Sequence, residues 1–221
     1  MFLEDKDYFV GPLNVPNKDL YPNSNRVGNS VILQEAIDEH EKSLMLAALG
    51  AVTYDLFFAI FETTGALKAG IDAKWTKLVN GETYTVDSKD YKWRGLRYSD
   101  GTIKKSLIAD YVYCKFSENN ILHLGGVGMQ TLDANNATGH NAIPKITNIW
   151  NGFVRKYQGD LALDGGPQSY ISNYGTTQGV DWANDSNRSY DVSLYQYLLD
   201  KNVDFPDVEF HAFATMNSFG I

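Results

Sequence analysis

The pattern of apolar positions predicts two consecutive helices after residue 29. The first begins at the capping residue Ser30 and ends at Gly50. Its apolar stripe has spacings of three and four and lies opposite a strongly acidic side; the stripe consists of Leu33, Ile37, His40, Leu44 and Ala48. The second helix, in "AVTYDLFFAIFETTG", is apolar nearly all round. Such a helix is expected to be buried, either in a core or between subunits.

Shorter apolar patterns predict further helices along the chain. One follows Asp72 in "AKWTKLV" and ends at Asn80-Gly81, and another starts with Thr102 as its cap in "TIKKSLIADYVYCKFSENN". The most regular pattern lies in "PKITNIWNGFVRKYQG", which begins with a proline suited to the first helical position. A last short helix is expected in "VSLYQYLLDKN".

The stretch "NGETYTVDSKDYKWRGLRYSDG" breaks the helical pattern with period-two alternation. Tyr84 and Val86 alternate with threonines, "DSKD" is typical of a turn, and Tyr91 and Trp93 alternate on the return. We expect a β-hairpin over 80–98, closed by Gly95. The hairpin either covers its own core or projects to touch a neighbouring subunit, and the pattern leaves both interpretations open.

The two ends of the chain have a different character from its middle. Residues 1–28 contain Gly, Pro and Asn but also apolar side chains, which predicts an extended N-terminal arm lying on its own body or on a neighbour. A helical domain with the hairpin spans 29–158. Residues 159–221 hold a long polar loop at 159–190, a short helix, and a C-terminal strand or arm whose residues alternate with period two. The expected fold is mainly α, a small bundle of about four to five helices with an inserted β-hairpin and extended N- and C-terminal arms.

Composition narrows the classes of function. The net charge of the 221-residue chain is −8, which argues against a grip on nucleic-acid phosphates but suits the wall of a passage through which DNA slides. Aromatic residues make up 13% of the chain and favour protein contacts. We expect no secretory signal, because no basic region followed by an apolar run starts the chain, and we expect no membrane span. The sequence therefore favours a cytosol-like compartment and no membrane.

Candidate chemistry is sparse. The single cysteine, Cys114, lies in an apolar helical run and is interpreted as a buried, inert thiol. His40, His123, His140 and His211 are scattered, so no metal site is predicted, and His40 is expected to be a core histidine. "GGVGMQ" at 125–130 lacks the third glycine of a dinucleotide loop and is interpreted as a flexible turn. We expect no catalytic residues, no cofactor and no enzyme activity, although a carboxylate-based hydrolase acting on glycans stays an alternative.

The order of several motifs resembles that of a known family. An acidic helix "LQEAIDEHEKSLMLAALG" precedes the apolar "YDLFFAIFE", then "WTKLVNGETYTV", the element Trp93, Gly95 and Leu96, and "KKSLIADYVYCKF". Gly126-Val127 and the ending "YQYLLDKNVDFPDVEF" continue the pattern. Over residues 30–221 the chain is similar to the head–tail connector (adaptor or ring) neck proteins of tailed bacteriophages, in particular those of crAss-like gut phages.

This resemblance implies a structural virion protein without catalysis. It implies a homo-oligomeric ring of about twelve copies that matches a portal. The ring would bind the portal protein on one surface and the next neck or tail ring protein on the other, and genomic DNA would pass without specific binding. Localisation would be the virion neck, with assembly in the host cytoplasm. A tail-completion or tail-terminator protein is the alternative structural role.

Aromatic residues on the arms and the hairpin are the candidate partner-binding residues. An aromatic side chain contributes a large contact area, which makes it a frequent anchor in protein interfaces. The candidates are Tyr8, Phe9, Tyr91, Trp93, Phe210 and Phe213.

Overall fold

The computed structural model describes residues 5–21, 29–125, 128–131, 143–159 and 190–216. Within these ranges the α-helices are α1 (Ser30–Ala59), α2 (Ala73–Asn80), α3 (Leu107–Ile121), α4 (Ile143–Gln158) and α5 (Leu194–Asp200). Two short 3-10 helices, Lys6–Tyr8 and Gly11–Leu13, lie in the N-terminal segment, which was expected to be extended. The strands are β1 (Glu82–Val86), β2 (Lys89–Trp93), β3 (Arg97–Asp100), β4 (Ile103–Ser106), β5 (Leu122–Gly125), β6 (Gly128–Thr131) and β7 (Tyr190–Asp191). Five helices with small antiparallel strand pairs agree with the expected mainly helical, mixed character.

The two helices predicted after residue 29 form one helix with a break inside it. Gly50 has φ 74° and ψ 166°, a conformation open essentially to glycine alone. The helix end predicted at Gly50 is therefore a kink within one helix. The backbone amides of Glu209 and His211 donate to the carbonyls of Leu49 and Ala47 beside this kink, at 3.4 and 2.8 Å. The predicted start was one residue late, because Asn29 is the cap and Ser30 is already helical.

The part of α1 after Gly50 is buried on one side only. Thr53, Phe57 and Ile60 are buried, whereas Val52, Leu56 and Phe58 are 65%, 57% and 48% exposed. Within this chain the neighbouring elements cover only one side of the helix, so the core of its own chain does not bury it all round. Burial of the other side between subunits stays a prediction.

α1 also corrects the expectation about membrane spans. By length and composition alone this helix could cross a membrane, since an 18-residue window reaches a mean hydropathy of 1.3. Its kink at Gly50 and its packing against α3 are typical of the core helix of a globular domain. The finding is therefore weak support for a membrane span.

The predicted hairpin is present as β1 and β2. Tyr84 pairs with Tyr91 across the strands, and the two-residue turn uses the left-handed residues Asp87 and Ser88. The short strand β7 joins the open side of β2 in parallel. At Gly95, which has φ 96°, an added Cβ would lie 2.6 Å from backbone atoms at the end of α2. The hairpin is therefore folded tightly onto the end of that helix.

The predicted helix after Thr102 begins later than expected. Residues 103–106 form β4, which pairs with β3 around the turn at Gly101, and the helix starts at Leu107. The hydroxyl of Ser106 accepts a hydrogen bond from the amide of Ile108 at 3.0 Å. Part of the loop predicted after α3 is also a hairpin, β5 with β6. Both corrections have the same cause, since strands of four residues are too short to show a clear period.

The other predicted helices are confirmed. Asp72 caps α2 by accepting from the amide of Lys74, and Ser193 caps α5 by accepting from the amide of Gln196. α4 ends at Gln158 and is followed by Gly159, which has φ 87°. The apolar stripe of α4 is buried; it consists of Ile146, Trp150, Phe153, Val154 and Tyr157.

One hydrophobic cluster joins the described segments. α1 packs on α3, and α3 packs on α4. Tyr8, Phe9 and Val15 belong to the same cluster, so residues 5–21 lie on the body of their own chain. The predicted loop at 159–190 falls almost entirely outside the described residues, as do 1–4, 22–28 and 217–221.

The C-terminal segment over 207–216 is an extended arm and not a strand. Side chains of α4 bond its backbone directly. Trp150 Nε1 donates to the Ala214 carbonyl at 2.8 Å, and Gln158 bonds both the amide and the carbonyl of Phe213. Side chains of α4 thus bond this backbone as a neighbouring strand would. Of the two predicted forms, strand or arm, the arm is the one present.

Candidate interaction surfaces

Four of the six candidate partner-binding aromatics are buried in their own chain. Tyr8 and Phe9 lie beneath the arm, and Tyr91 and Trp93 lie beneath the hairpin. Trp93 Nε1 donates to the Leu78 carbonyl at 2.8 Å, and its ring stacks on Tyr197 at 5.4 Å. This burial favours the interpretation that the hairpin covers its own core.

The other two candidates lie together on α4. The rings of Phe210 and Phe213 are centred 4.5 and 5.0 Å from that of Tyr157, and both side chains are half-buried. The six candidates therefore divide among the arm, the hairpin and the C-terminal segment, and they do not form one surface.

A surface that the sequence analysis missed lies on the second part of α1. Its exposed residues, here called the α1 face, are Ala51, Val52, Asp55, Leu56, Phe58 and Ala59. Asp55 is its single charged residue. The continuous apolar run in "AVTYDLFFAIF" was the available signal, but it did not reveal which side would stay exposed.

The α1 face rests on a layer of packed aromatic rings. Phe57 points inward, with its ring 5.1 Å from that of Phe61 and 5.9 Å from that of Trp75. Phe58 stacks on Tyr54 at 6.0 Å. Rings held in this way lose little conformational freedom when they bind a partner. The α1 face is therefore a preorganised apolar surface.

A cavity of about 490 Å³ lies between the N-terminal arm, the β3–β4 hairpin and α4. It is called here the Gly152 cavity. Gly152 forms part of its wall, and a Cβ added there would meet nothing within 4 Å. Apolar side chains supply much of the remaining wall; they include Val10, Leu13, Ile103 and Ile149. A larger residue in place of Gly152 would fill this space.

Charged residues line one part of the Gly152 cavity. Lys156 Nζ lies 2.6 Å from Asp110 Oδ2, and burial raises the pKa of Asp110 although Lys156 opposes that shift. Nearer to solvent, Lys104 pairs with Asp5 and Asp7, and Lys105 pairs with Asp100. Ion pairs as exposed as those of the two lysines contribute little to stability, so they can exchange partners at low cost.

A second, more polar groove of about 590 Å³ lies between the β1–β2 hairpin and β3. Glu82 and Asp100 line it, as a two-carboxylate hydrolase would require. Burial tends to raise the pKa of Glu82, but bonds from Lys77, Tyr197 and Lys201 outweigh burial and lower it. A hydrogen bond from Lys105 lowers the pKa of Asp100. A general acid needs a raised pKa, so neither carboxyl suits that role.

The cysteine, the histidines and the glycine-rich stretch that were considered for chemistry lie in different parts of the chain. Cys114 is buried, and burial raises the pKa of its thiol to about 12, as expected for an inert cysteine. His40 was expected in the core but is only half-buried, at the edge of the core beside Tyr111, and His211 is exposed. Gly126 and Val127 of "GGVGMQ" and His140 lie outside the described residues. In the described part of the chain, no three His, Cys, Asp or Glu residues are grouped so that they could hold a metal.

Comparison with known proteins returns no relative. No protein-family model matches this chain, no curated protein matches it, and no solved structure matches it. The function of this chain is therefore inferred from the properties of its own sequence and surfaces.

Proposed function

We propose that this chain is a structural virion protein that forms a ring in the neck of a tailed bacteriophage. The ring joins the portal to the tail and lets the genome pass. Self-association is its central property, and it has no substrate to turn over.

The α1 face is the observation that carries this proposal. Val52, Leu56 and Phe58 are each about half or more exposed on the uncovered side of one helix, with Val52 and Leu56 on one flank and Phe58 on the other. A contiguous apolar patch on a folded chain marks an interaction site, because leaving it in water is unfavourable. Within the described residues nothing covers this patch. Self-association would cover this surface, which explains why the folded chain carries it.

Two further features support a connector ring over other assemblies. The order of the helices and the hairpin resembles that of phage neck proteins. The net charge of −8 suits a passage for DNA, because acidic walls repel phosphates whereas Lys and Arg contacts would hold the genome in place.

The mass of the native assembly tests the proposal. Light scattering after size exclusion should give roughly twelve times the 24.7 kDa of one chain, and negative-stain images should show rings. Sixfold rings would favour the tail-terminator alternative. A purified protein that stays monomeric, together with a particle reconstruction that lacks it in the neck, would contradict the proposal.

A further inference from the structure

We propose that the side chains of Phe2 and Leu3 dock into the Gly152 cavity of their own chain. Both residues lie shortly before Asp5, the first described residue. Docking there would fix the whole N-terminal segment to its own copy, so the arms would not be exchanged between neighbouring copies. It requires neither a ring nor the α1 face.

Two ion pairs place the start of the described N-terminal segment at the rim of the Gly152 cavity. Lys104 lines the cavity, and its Nζ lies 3.3 Å from Asp5 Oδ2 and 2.9 Å from Asp7 Oδ2. The same ammonium lies 5.6 Å from the ring centre of Tyr8, which is buried and also lines the cavity. Exposed ion pairs contribute little energy, but these contacts show where the chain enters.

The residues before Asp5 are close enough to use this cavity. An extended residue spans at most about 3.6 Å, so the Cα atoms of Leu3 and Phe2 lie within about 7 and 11 Å of that of Asp5. Because Asp5 contacts a residue of the cavity wall, both side chains start within reach of the cavity.

The cavity wall suits apolar side chains. Val10, Leu13, Ile103 and Ile149 supply much of it, and Gly152 leaves it wide. An apolar cavity of about 150 Å³ already accepts a benzene-sized ring. The Gly152 cavity is about 490 Å³, so it has room for a phenyl ring and a leucine side chain together.

The sequence of the first seven residues divides in the way that this site requires. The apolar "MFL" is followed by the charged "EDKD". Removing apolar side chains from water is favourable, whereas charged side chains are best left in it. Docked in this way, the segment lays its apolar end in the cavity and keeps its charged part at the rim, beside Lys104.

The reactivity of a cysteine in the cavity wall tests the docking. Ile149→Cys places a thiol there. Replacing Phe2 and Leu3 together by serine should make this thiol react with a maleimide at least about tenfold faster, because burial of one large apolar side chain shifts a docking equilibrium by that factor or more. An unchanged rate would show that these residues do not occupy the cavity.

Two controls separate docking from other effects. Cys114 is buried, so in a chain without Ile149→Cys it should stay unreactive with or without the two serines. Reaction at Cys114 would mean that the serines loosen the fold. Phe219→Ser removes an aromatic residue near the other end of the sequence and should leave the rate at Ile149→Cys unchanged. A faster rate there would make the C-terminal residues the occupant and overturn the assignment.

Gly152→Leu supplies an independent test, because its side chain fills the site. In the wild-type background, the two serines should lower the midpoint of thermal unfolding by roughly 3–6 °C. In the Gly152→Leu background they should have no effect, since Phe2 and Leu3 have already lost their cavity. Equal losses in both backgrounds would place these residues elsewhere.

A disulfide identifies the copy that supplies the segment. Phe2→Cys combined with Ile149→Cys should close within one chain, so the oxidised protein should run at 24.7 kDa on a non-reducing gel. A band at twice this mass would mean that the segment comes from a neighbouring copy, and docking within one chain would be wrong. A wild type that never assembles would contradict the proposed function alone, because none of these measurements requires a ring.

Discussion

The two parts of α1, before and after Gly50, are both rich in apolar residues but use them differently. Before Gly50, Leu33, Ile37 and Leu44 are buried and the outer side is acidic. After Gly50, Phe57 is buried, while Leu56 and Phe58 face outward. Most of the first part shows the usual division into a core side and a polar side, although Val31 and Ile32 near its start are 40% and 44% exposed. The second part carries a second apolar side, which the fold of one chain does not use.

The kink explains how one helix can hold both arrangements. Gly50 redirects the chain, and the C-terminal segment bonds the carbonyls of Ala47 and Leu49 at that point. A straight helix would continue one stripe along its whole length. The change of direction lets the second part pack on the aromatic rings near α2 and leave its other side open.

The largest expected effect on stability comes from comparing one leucine in each part of α1, Leu44 before Gly50 and Leu56 after it. Leu44→Ala, at a buried position, should lower the free energy of unfolding by about 2–5 kcal/mol, since it removes packed methyl groups and leaves a cavity. Leu56→Ala should cost less than about 1 kcal/mol, because that side chain is mostly exposed. Urea titration of the dissociated chain measures both. Similar losses would mean that the α1 face is covered within the chain.

A smaller effect is expected at the kink itself. Gly50→Ala should cost about 1–3 kcal/mol, since only glycine adopts this conformation readily. The new Cβ would also lie 2.9 Å from Glu209 Cβ. Gly152→Ala is the control, at a helical glycine with open space, and should be neutral or stabilising. Thermal unfolding compares the two; a neutral Gly50→Ala would show that the kink does not depend on glycine.

The hydrogen bond between the second part of α1 and the C-terminal segment should contribute about 1 kcal/mol to the free energy of unfolding. Thr53 Oγ1 donates to the Asp207 carbonyl at 3.2 Å in a mostly buried place. Thr53→Val keeps the shape and removes the donor. Amide hydrogen exchange at 207–213 should become faster in this variant, with little change in the first part of α1. Unchanged exchange would mean that other contacts hold the segment.

The smallest expected effect is a pH dependence of the stability of the chain, which arises from His40 in the first part of α1. Burial lowers the pKa of His40 below its ordinary value of 6.5, so the folded chain prefers the neutral ring. The stability from this preference is present above about pH 6.5 and is lost as the pH falls through the lower folded pKa. The effect is small, because solvent screens a half-buried ring. His40→Gln should reduce the fall in thermal stability between pH 7 and 5, and an identical fall would contradict this assignment.

Several elements of this chain follow from local chemistry and were predicted well. α4 has an apolar stripe over about three turns, a proline near its start and a glycine after its end. The β1–β2 hairpin has period-two alternation around a turn of polar residues. In both cases the local preferences and the tertiary packing agree, so the pattern alone was sufficient.

Other elements depended on contacts that a pattern does not reveal. Residues 103–106 became a strand because β3 is beside them, although the sequence there resembles the start of a helix. The alternating residues at 207–216 became an arm because side chains of α4 bond their backbone. Contacts with residues outside the segment decide the structure of such short segments, because the segments' own preferences are too weak to compete.

The sequence by itself determined the helices whose apolar pattern repeats over several turns, the β1–β2 hairpin, the buried thiol of Cys114 and the break at Gly50. The tertiary structure alone decided which apolar residues stay exposed, and it alone formed the Gly152 cavity. The physical reason is that periodicity reports the local shape of one element, whereas exposure depends on which other elements pack against it. The α1 face and the Gly152 cavity are products of that packing.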